Sequence, residues 1–303
     1  MQRAPTGITM QSIESIRKNI KSAEDLRDIV KTMRTLAAVN IHHFELAVRS
    51  LGDYSRSVEM GFQVILKDGT VSALEQDSTK GGTYYIVFGT DQGLCGGFND
   101  QIADYSFNEI SKENGHDEDN IIVCMGERAL AGLEERKLLV NDIYPLPGAL
   151  SGITFSVQQI VMNITELQIK GKINRVVLFH HKLTSQVTYL PEKVTLLPID
   201  RTWTESMQQK KWPTRVLPAF TMERDSLFSA LFRQYIFVSL FRAFAESMAS
   251  ENAARLLSMQ SAERNIDERI EQLNAFYRSE RQNAITSELL DIVSGFEALR
   301  EEA

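Results

Sequence analysis

The sequence predicts an α/β domain inserted between two very long terminal helices that pair as an antiparallel coiled coil. Three observations carry this. Glycine and proline are missing from Ile8 to Leu51 and again from Ala219 to Ser294. Each disfavours a helix interior, by ~1 kcal/mol for Gly and ~3 kcal/mol for Pro relative to Ala. Within both stretches apolar residues recur at steps of three and four, and between the stretches the pattern changes to short apolar runs alternating with helical segments.

The first helix is read over residues 11–66. Its stripe comprises Ile13, Ile16, Ile20, Ala23, Leu26, Val30, Met33, Ala37, Ile41, Phe44 and Val48, narrow enough for a coiled-coil seam rather than a broad globular face. Residues 67–82, polar and glycine-containing, read as a linker. The central domain, 83–200, offers YYIVFG at Tyr84–Gly89, IIVCMG at Ile121–Gly126 and RVVLFH at Arg175–His180 as buried parallel strands. Helices are expected near Phe98–Lys112, Glu127–Arg136 and Phe155–Lys170, the alternation of a parallel sheet with covered faces. Val187–Leu190 and Lys193–Leu197, flanking Pro191, read as a final hairpin or edge strands. Residues 201–222 read as a second linker. The last helix, 223–300, carries Ile266, Ile270, Leu273 and Tyr277, then Ile285, Leu289, Ile292 and Phe296 after an interruption. At 1.5 Å per residue the glycine- and proline-free stretch would extend roughly 110 Å, so part of it is expected to outrun its partner.

Composition narrows the function classes. With 43% hydrophobic and 24% charged residues the chain reads as folded and soluble. A formal charge of −7 argues against nucleic-acid binding, whose footprint is basic. No secretory leader is visible. The most apolar stretch, Leu227 to Phe244, is cut by Arg233, Gln234 and Arg242, and no membrane span is expected. Cys95 and Cys124 lack metal-ligand spacing and read as reduced thiols. The glycine-rich turn GTDQGLCGGFND at Gly89–Asp100 follows a strand and precedes a helix. It contains neither a Walker-type lysine nor the G-x-G-x-x-G spacing, so tight turn geometry or a protein contact is favoured over a nucleotide. His42–His43 and His180–His181 are adjacent pairs whose side chains point apart, which disfavours a metal on either pair. No catalytic residue, cofactor site or metal site is expected. From Arg278 to Asn283 the last helix's stripe gives way to RSERQN: a solvated face, or a polar belt for docking partner proteins. Phe228, Phe232, Tyr235, Phe237, Phe241 and Phe244 read first as core and alternatively as an interface.

The C-terminal stretch ESMASENAARLLSMQSAERNIDERIEQLNAFYRSERQNAITSELLDIVSGFEAL, Glu246–Leu299, resembles the signature of F-type ATP synthase gamma subunits. SIESIRKNIKSAEDLRDIVKTMRTLAAVN at Ser12–Asn40 is similar to that family's N-terminal helix, and Gly89–Asn99 to its S-D-R-G-L-C-G-G-F-N turn. The three blocks lie in the family's order. The resemblance implies a coiled coil of the two termini within a ring of alternating alpha and beta subunits, with a Rossmann-like domain outside. It also implies a non-catalytic rotor coupling ion-driven rotation of the membrane c-ring to ATP synthesis or hydrolysis. Arg281, Gln282, Thr286 and Glu288 match positions that contact the catalytic ring. Met33, with Lys31 near it, matches the position facing the moving beta lever. Leu227–Phe244 falls where the family's foot meets the epsilon subunit and the c-ring. The resemblance implies a peripheral membrane-complex subunit, and the lack of a transit-peptide pattern places the expectation at the cytoplasmic face of a bacterial inner membrane. Gln92 for Arg, Arg278 for Asn, Asn283 for Ala and Phe296 for a small residue depart from the family's pattern and suggest a divergent branch, an alternative bacterial ATPase being one such. The competing readings are an α/β enzyme with a nucleotide or thiol site, and a coiled-coil scaffold of another assembly.

Overall fold

A computed structural model describes residues 6–67, 81–113, 119–185, 187–198, 201–212 and 218–301. Residues 68–80 of the first expected linker and 213–217 of the second lie outside the described residues, as does the side chain of Phe296. The elements are α1 (Thr6–Lys67), β1 (Gly82–Phe88), α2 (Phe98–Lys112), β2 (Ile121–Met125), α3 (Arg128–Glu135), β3 (Asp142–Tyr144), α4 (Leu150–Ile169), β4 (Ile173–Leu183), β5 (Tyr189–Leu197), α5 (Arg201–Gln209) and α6 (Arg224–Glu301). Long N- and C-terminal helices and a mainly parallel sheet are the fold class the sequence predicts.

The chain divides into two compact units, Met1–Leu36 with Ser258–Ala303, and Ala37–Leu257. In the first, α1 and α6 run antiparallel. Arg34 Nε lies 3.0 Å from Glu263 Oε2 and Arg27 Nη1 3.6 Å from Asp267 Oδ1, so position falls on one helix as it rises on the other. Ile16, Val30, Met259 and Ile270 are buried and Met33 half-buried. Leu26 is a correction to the expected seam, being 50% exposed. Leu26 lies one heptad before Met33 and on the same side of α1 as Val30, so the helix period does not remove it; α6 leaves it uncovered. Exposed Ile29 and Leu36 form a second apolar row beside it.

The second unit is built on a five-stranded sheet of order β3-β2-β1-β4-β5. β1 pairs in parallel with β2 and β4, β2 in parallel with β3, and β5 antiparallel with β4. Strand alternation sends Tyr84, Ile86 and Phe88 to one face and Tyr85 and Val87 to the other. The first face is covered by Ile153, Val157, Ile160 and Ile164 of α4 and by Leu240 and Phe244 of α6. The second is covered by Ile102 and Ile110 of α2 and Leu133 of α3. Sequence reasoning missed β3, whose three residues are too short and polar to signal a strand. It also split β5 at Pro191. Proline is tolerated there because β5 is an edge strand, where its missing N–H breaks no ladder. Within residues 201–222, α5 packs Met207 and Trp203 against Phe62 of α1 and Phe228 of α6, with the Phe62 and Trp203 rings edge to face at 5.3 Å. Here too α1 and α6 are antiparallel, Asn40 bonding Asn252 and Tyr54 bonding Gln234.

Among the described residues α6 is the one helix long and apolar enough, by length and composition alone, to pass for a membrane span. Arg233 and Arg242 do not take it below that threshold. Phe228, Ile236, Val238, Leu240 and Phe244 of that stretch are nonetheless buried in the protein's own core, so the aromatics of 227–244 serve mainly as packing. Phe237 and Phe241 remain only partly covered.

Candidate partner-docking surface

The C-terminal part of α6 presents side chains that are not covered among the described residues. Ile285, Leu289 and Ile292 are 49%, 57% and 67% exposed, and their spacing of four and three residues places them on one helix face. Among the described residues the seam predicted for this stretch is an open apolar row. Arg281, Gln282, Thr286 and Glu288 lie exposed on the same segment. Thr286 Oγ1 donates to the Gln282 backbone carbonyl at 2.9 Å, an i−4 bond. The segment thus offers a fork of guanidinium donors, an amide and a carboxylate beside an apolar row, the mixture protein interfaces use.

Met33 and Lys31 lie elsewhere. Met33 is half-buried in the helix pair and Lys31 is exposed. Since Arg34 pairs with Glu263, they sit roughly 25 Å along the helix axis from Arg281 at 1.5 Å per residue. The six residues therefore form two patches, not one. Sequence reasoning missed the Ile29 and Leu36 row beside Met33. Its signal was present as a second set of heptad-spaced apolar residues, one seam too many for two helices.

The glycine-rich turn belongs to the other unit and is occupied with its own geometry. A Cβ on Gly89 would come within 2.3 Å of the Ala129 Cβ, so glycine here permits the close approach of α3. Asn99 Nδ2 donates to Thr90 Oγ1 at 2.9 Å, and Thr90 Oγ1 donates to the Gln92 carbonyl at 2.8 Å. The Asp91 carboxylate accepts the backbone N–H groups of Glu127 and Leu146 at 3.0 and 2.7 Å. Arg255 of α6 ties the turn down, its Nη2 lying 2.6 Å from Glu251 Oε1 and 3.4 Å from the Gly93 carbonyl. A cavity of about 270 Å³ beside it is lined by Asn40, His43, Asp91, Gln92, Asn252 and Arg255 among others. The charged groups lining it are already bonded within the fold. Cys95 is buried under this turn, and burial pushes its thiol up from the ordinary range. Burial pushes Cys124 up to about 12. A thiol held in its neutral form is a poor nucleophile, so neither cysteine favours the thiol-enzyme reading.

The ATP synthase family model matches residues 12–299. The ATP synthase gamma chain of Desulforamulus reducens is 30% identical, over 96% of this chain and all of that protein. This chain belongs to the ATP synthase gamma-chain family. The gamma chain of a Synechococcus species is 29% identical over 96% of this chain and 99% of its own length. Among solved structures, a chain of the Euglena gracilis mitochondrial ATP synthase, in an assembly of OSCP, F1 and c-ring, superposes with a TM-score of 0.62 at 16% identity, covering 95% of each chain. A chain of the Tetrahymena thermophila mitochondrial central stalk and c-ring does so with a TM-score of 0.55 at 20% identity, over 77% of this chain and 99% of that one. At such identities the two structures speak to the fold, and they share it. The gamma-chain family thus joins, in one chain, the helix pair and the mainly parallel sheet described above.

Proposed function

We propose that this chain is the central-stalk rotor subunit of an F-type ATP synthase or ATPase, itself non-catalytic. Residues 11–66 and 223–300 act as the shaft and 83–200 as an outer domain, joined through 67–82 and 201–222. Its partners are the alpha and beta subunits of the catalytic ring, the epsilon subunit and the c-ring, with the chain peripheral on the cytoplasmic face of a bacterial inner membrane. The observation that carries the reading is the exposed apolar row Ile285, Leu289 and Ile292 flanked by Arg281, Gln282, Thr286 and Glu288. An exposed apolar row rimmed by polar residues is a mark of a protein–protein contact. Membership of the gamma-chain family and the rotor assemblies named for the structural neighbours support the same reading.

The mechanism is differential contact. A shaft with unlike faces presents a different surface to each catalytic subunit as it turns. Each contact biases the open–closed equilibrium of the subunit it meets by its difference in affinity for the two states. Arg281 and Gln282 supply donors to the ring at one level, Met33 and Lys31 a contact at another. A tagged chain should co-purify with the alpha and beta subunits. Arg281→Ala with Gln282→Ala should impair ATP turnover of the assembled complex while the isolated chain stays folded. Failure to co-purify would sink the rotor reading, and full turnover by the double variant would sink the docking role of these two residues.

A further inference from the structure

His180 is an anomaly in an apolar core. It is 2% exposed, on a face of β4 where its ring meets Phe88 edge to face at 6.2 Å, and two carboxylates converge on it. Glu192 is its direct partner in the antiparallel β4–β5 register, which puts both side chains on the same face of the sheet. Glu246 comes from α6, its Oε2 3.8 Å from His180 Nδ1; Nδ1–H donates to the His181 carbonyl at 3.1 Å, which leaves Nε2 as the ring atom able to ligate. One donor atom from each of the three lies within 4.8 Å of the other two. All three residues belong to the Ala37–Leu257 unit. His181 takes no part: it projects to the opposite face, against Phe98 and Tyr189, as adjacent strand residues must.

We propose that His180, Glu192 and Glu246 form a binding site for a divalent transition metal of the zinc class, which pins α6 to the β4–β5 edge of the sheet. One imidazole and two carboxylates are a borderline donor set with three protein ligands, suited to four-coordinate zinc with water completing the shell. Magnesium and calcium, which take six or more oxygens, are poorly served by it. Tetrahedral bonds of about 2.1 Å put donor atoms ~3.4 Å apart, so atoms within 4.8 Å of one another must close by about 1.4 Å at most, within reach of the two glutamate side chains. Lys182, itself exposed, pairs with Glu192 at 3.2 Å and would give way to the ion. The β4–β5 edge, half open at Glu192, provides the entry path.

The test uses the full-length chain, stripped with chelator and titrated with zinc chloride by calorimetry. Cobalt(II) absorption reports the coordination geometry. The expected result is one ion per chain with intense tetrahedral cobalt bands and a raised Tm. Glu192→Gln and Glu246→Gln should each weaken binding at least tenfold while His43→Ala leaves it unchanged. Glu192 lies at an edge strand and is partly exposed, so its variant keeps the fold, as an unaltered metal-free Tm would verify. No binding, or binding that both glutamine variants leave intact, overturns the proposal. So does binding lost in His43→Ala, which would move the ion to another histidine. The result does not depend on assembly with other subunits, so the rotor reading stands or falls separately.

Discussion

Replacing Ile285, Leu289 and Ile292 together by glutamine isolates what the open row of α6 is for. The three side chains are 49%, 57% and 67% exposed, so each still has roughly half of its apolar surface to bury. Full burial of an Ile or Leu side chain stabilises by about 1.5–3 kcal/mol, and the uncovered half is therefore worth about 1 kcal/mol on docking. Three such side chains give about 3 kcal/mol, a loss of about 100-fold in affinity at 1.4 kcal/mol per decade. Glutamine is a good helix former, and exposed substitutions ordinarily stay within about 0.5 kcal/mol each, so the isolated chain should melt almost where wild type does. The assay pairs thermal denaturation of the free chain with titration of labelled chain into the catalytic-ring subunits. Affinity within threefold of wild type would refute the argument, because the row would then not be buried by the ring. A large drop in Tm would refute it differently, by showing that the row is already packed within the chain.

Other expectations follow from single sites. His181 is buried with both ring nitrogens unbonded, and burial pushes its pKa down from 6.5 to about 3. Below pH 6.5 the unfolded chain takes up a proton that the folded chain refuses, so this contribution is complete above pH 6.5 and is lost as pH falls toward 3. From neutrality to pH 5 it amounts to about 2 kcal/mol. His181→Phe should flatten the stability profile between pH 5 and 7 by that amount, measured by urea denaturation, and an unchanged slope would show that His181 does not titrate this way. Gly126 has φ +91° and a Cβ there would lie 2.6 Å from the Thr90 carbonyl carbon. Gly126→Ala should therefore cost about 1–3 kcal/mol from the backbone conformation alone, read as a lowered urea midpoint. Arg255→Met strands the buried Glu251 carboxylate, now 2.6 Å from the guanidinium, and should cost about 3–5 kcal/mol. Adding Glu251→Leu to it should recover most of that loss, and a double variant as unstable as the single would show that charge pairing is not the cause.

Much of this was legible in the sequence for local reasons. A helix is announced by residues that tolerate its backbone, and the long glycine- and proline-free stretches mark α1 and α6 before any contact is known. Central strands buried on both faces show as continuous apolar runs, which is why β1, β2 and the middle of β4 were readable. β3 was not, because its few residues are held by pairing with β2 and carry no pattern of their own. α5 was hidden for a similar reason: Trp203 and Met207 become helical core only when Phe62 and Phe228 are beside them. The candidate docking residues Arg281 and Gln282 stood out as part of a break in a periodic stripe, with Glu288 one to two turns on, whereas Thr286 came only from the family resemblance. Their separation from Met33 and Lys31 did not stand out, since distance between points on two helices depends on register.

The sequence by itself determined the class of each long element and the polarity of its faces, because period and propensity act within a turn or two of chain. Only the tertiary structure decided which apolar rows are buried. Leu26 and Val30 are equally apolar and four residues apart, and the partner helix covers one and leaves the other half in water. The meeting of His180, Glu192 and Glu246 was likewise decided by strand register and helix packing. Those are set by burial summed over the whole unit, and no local pattern encodes them.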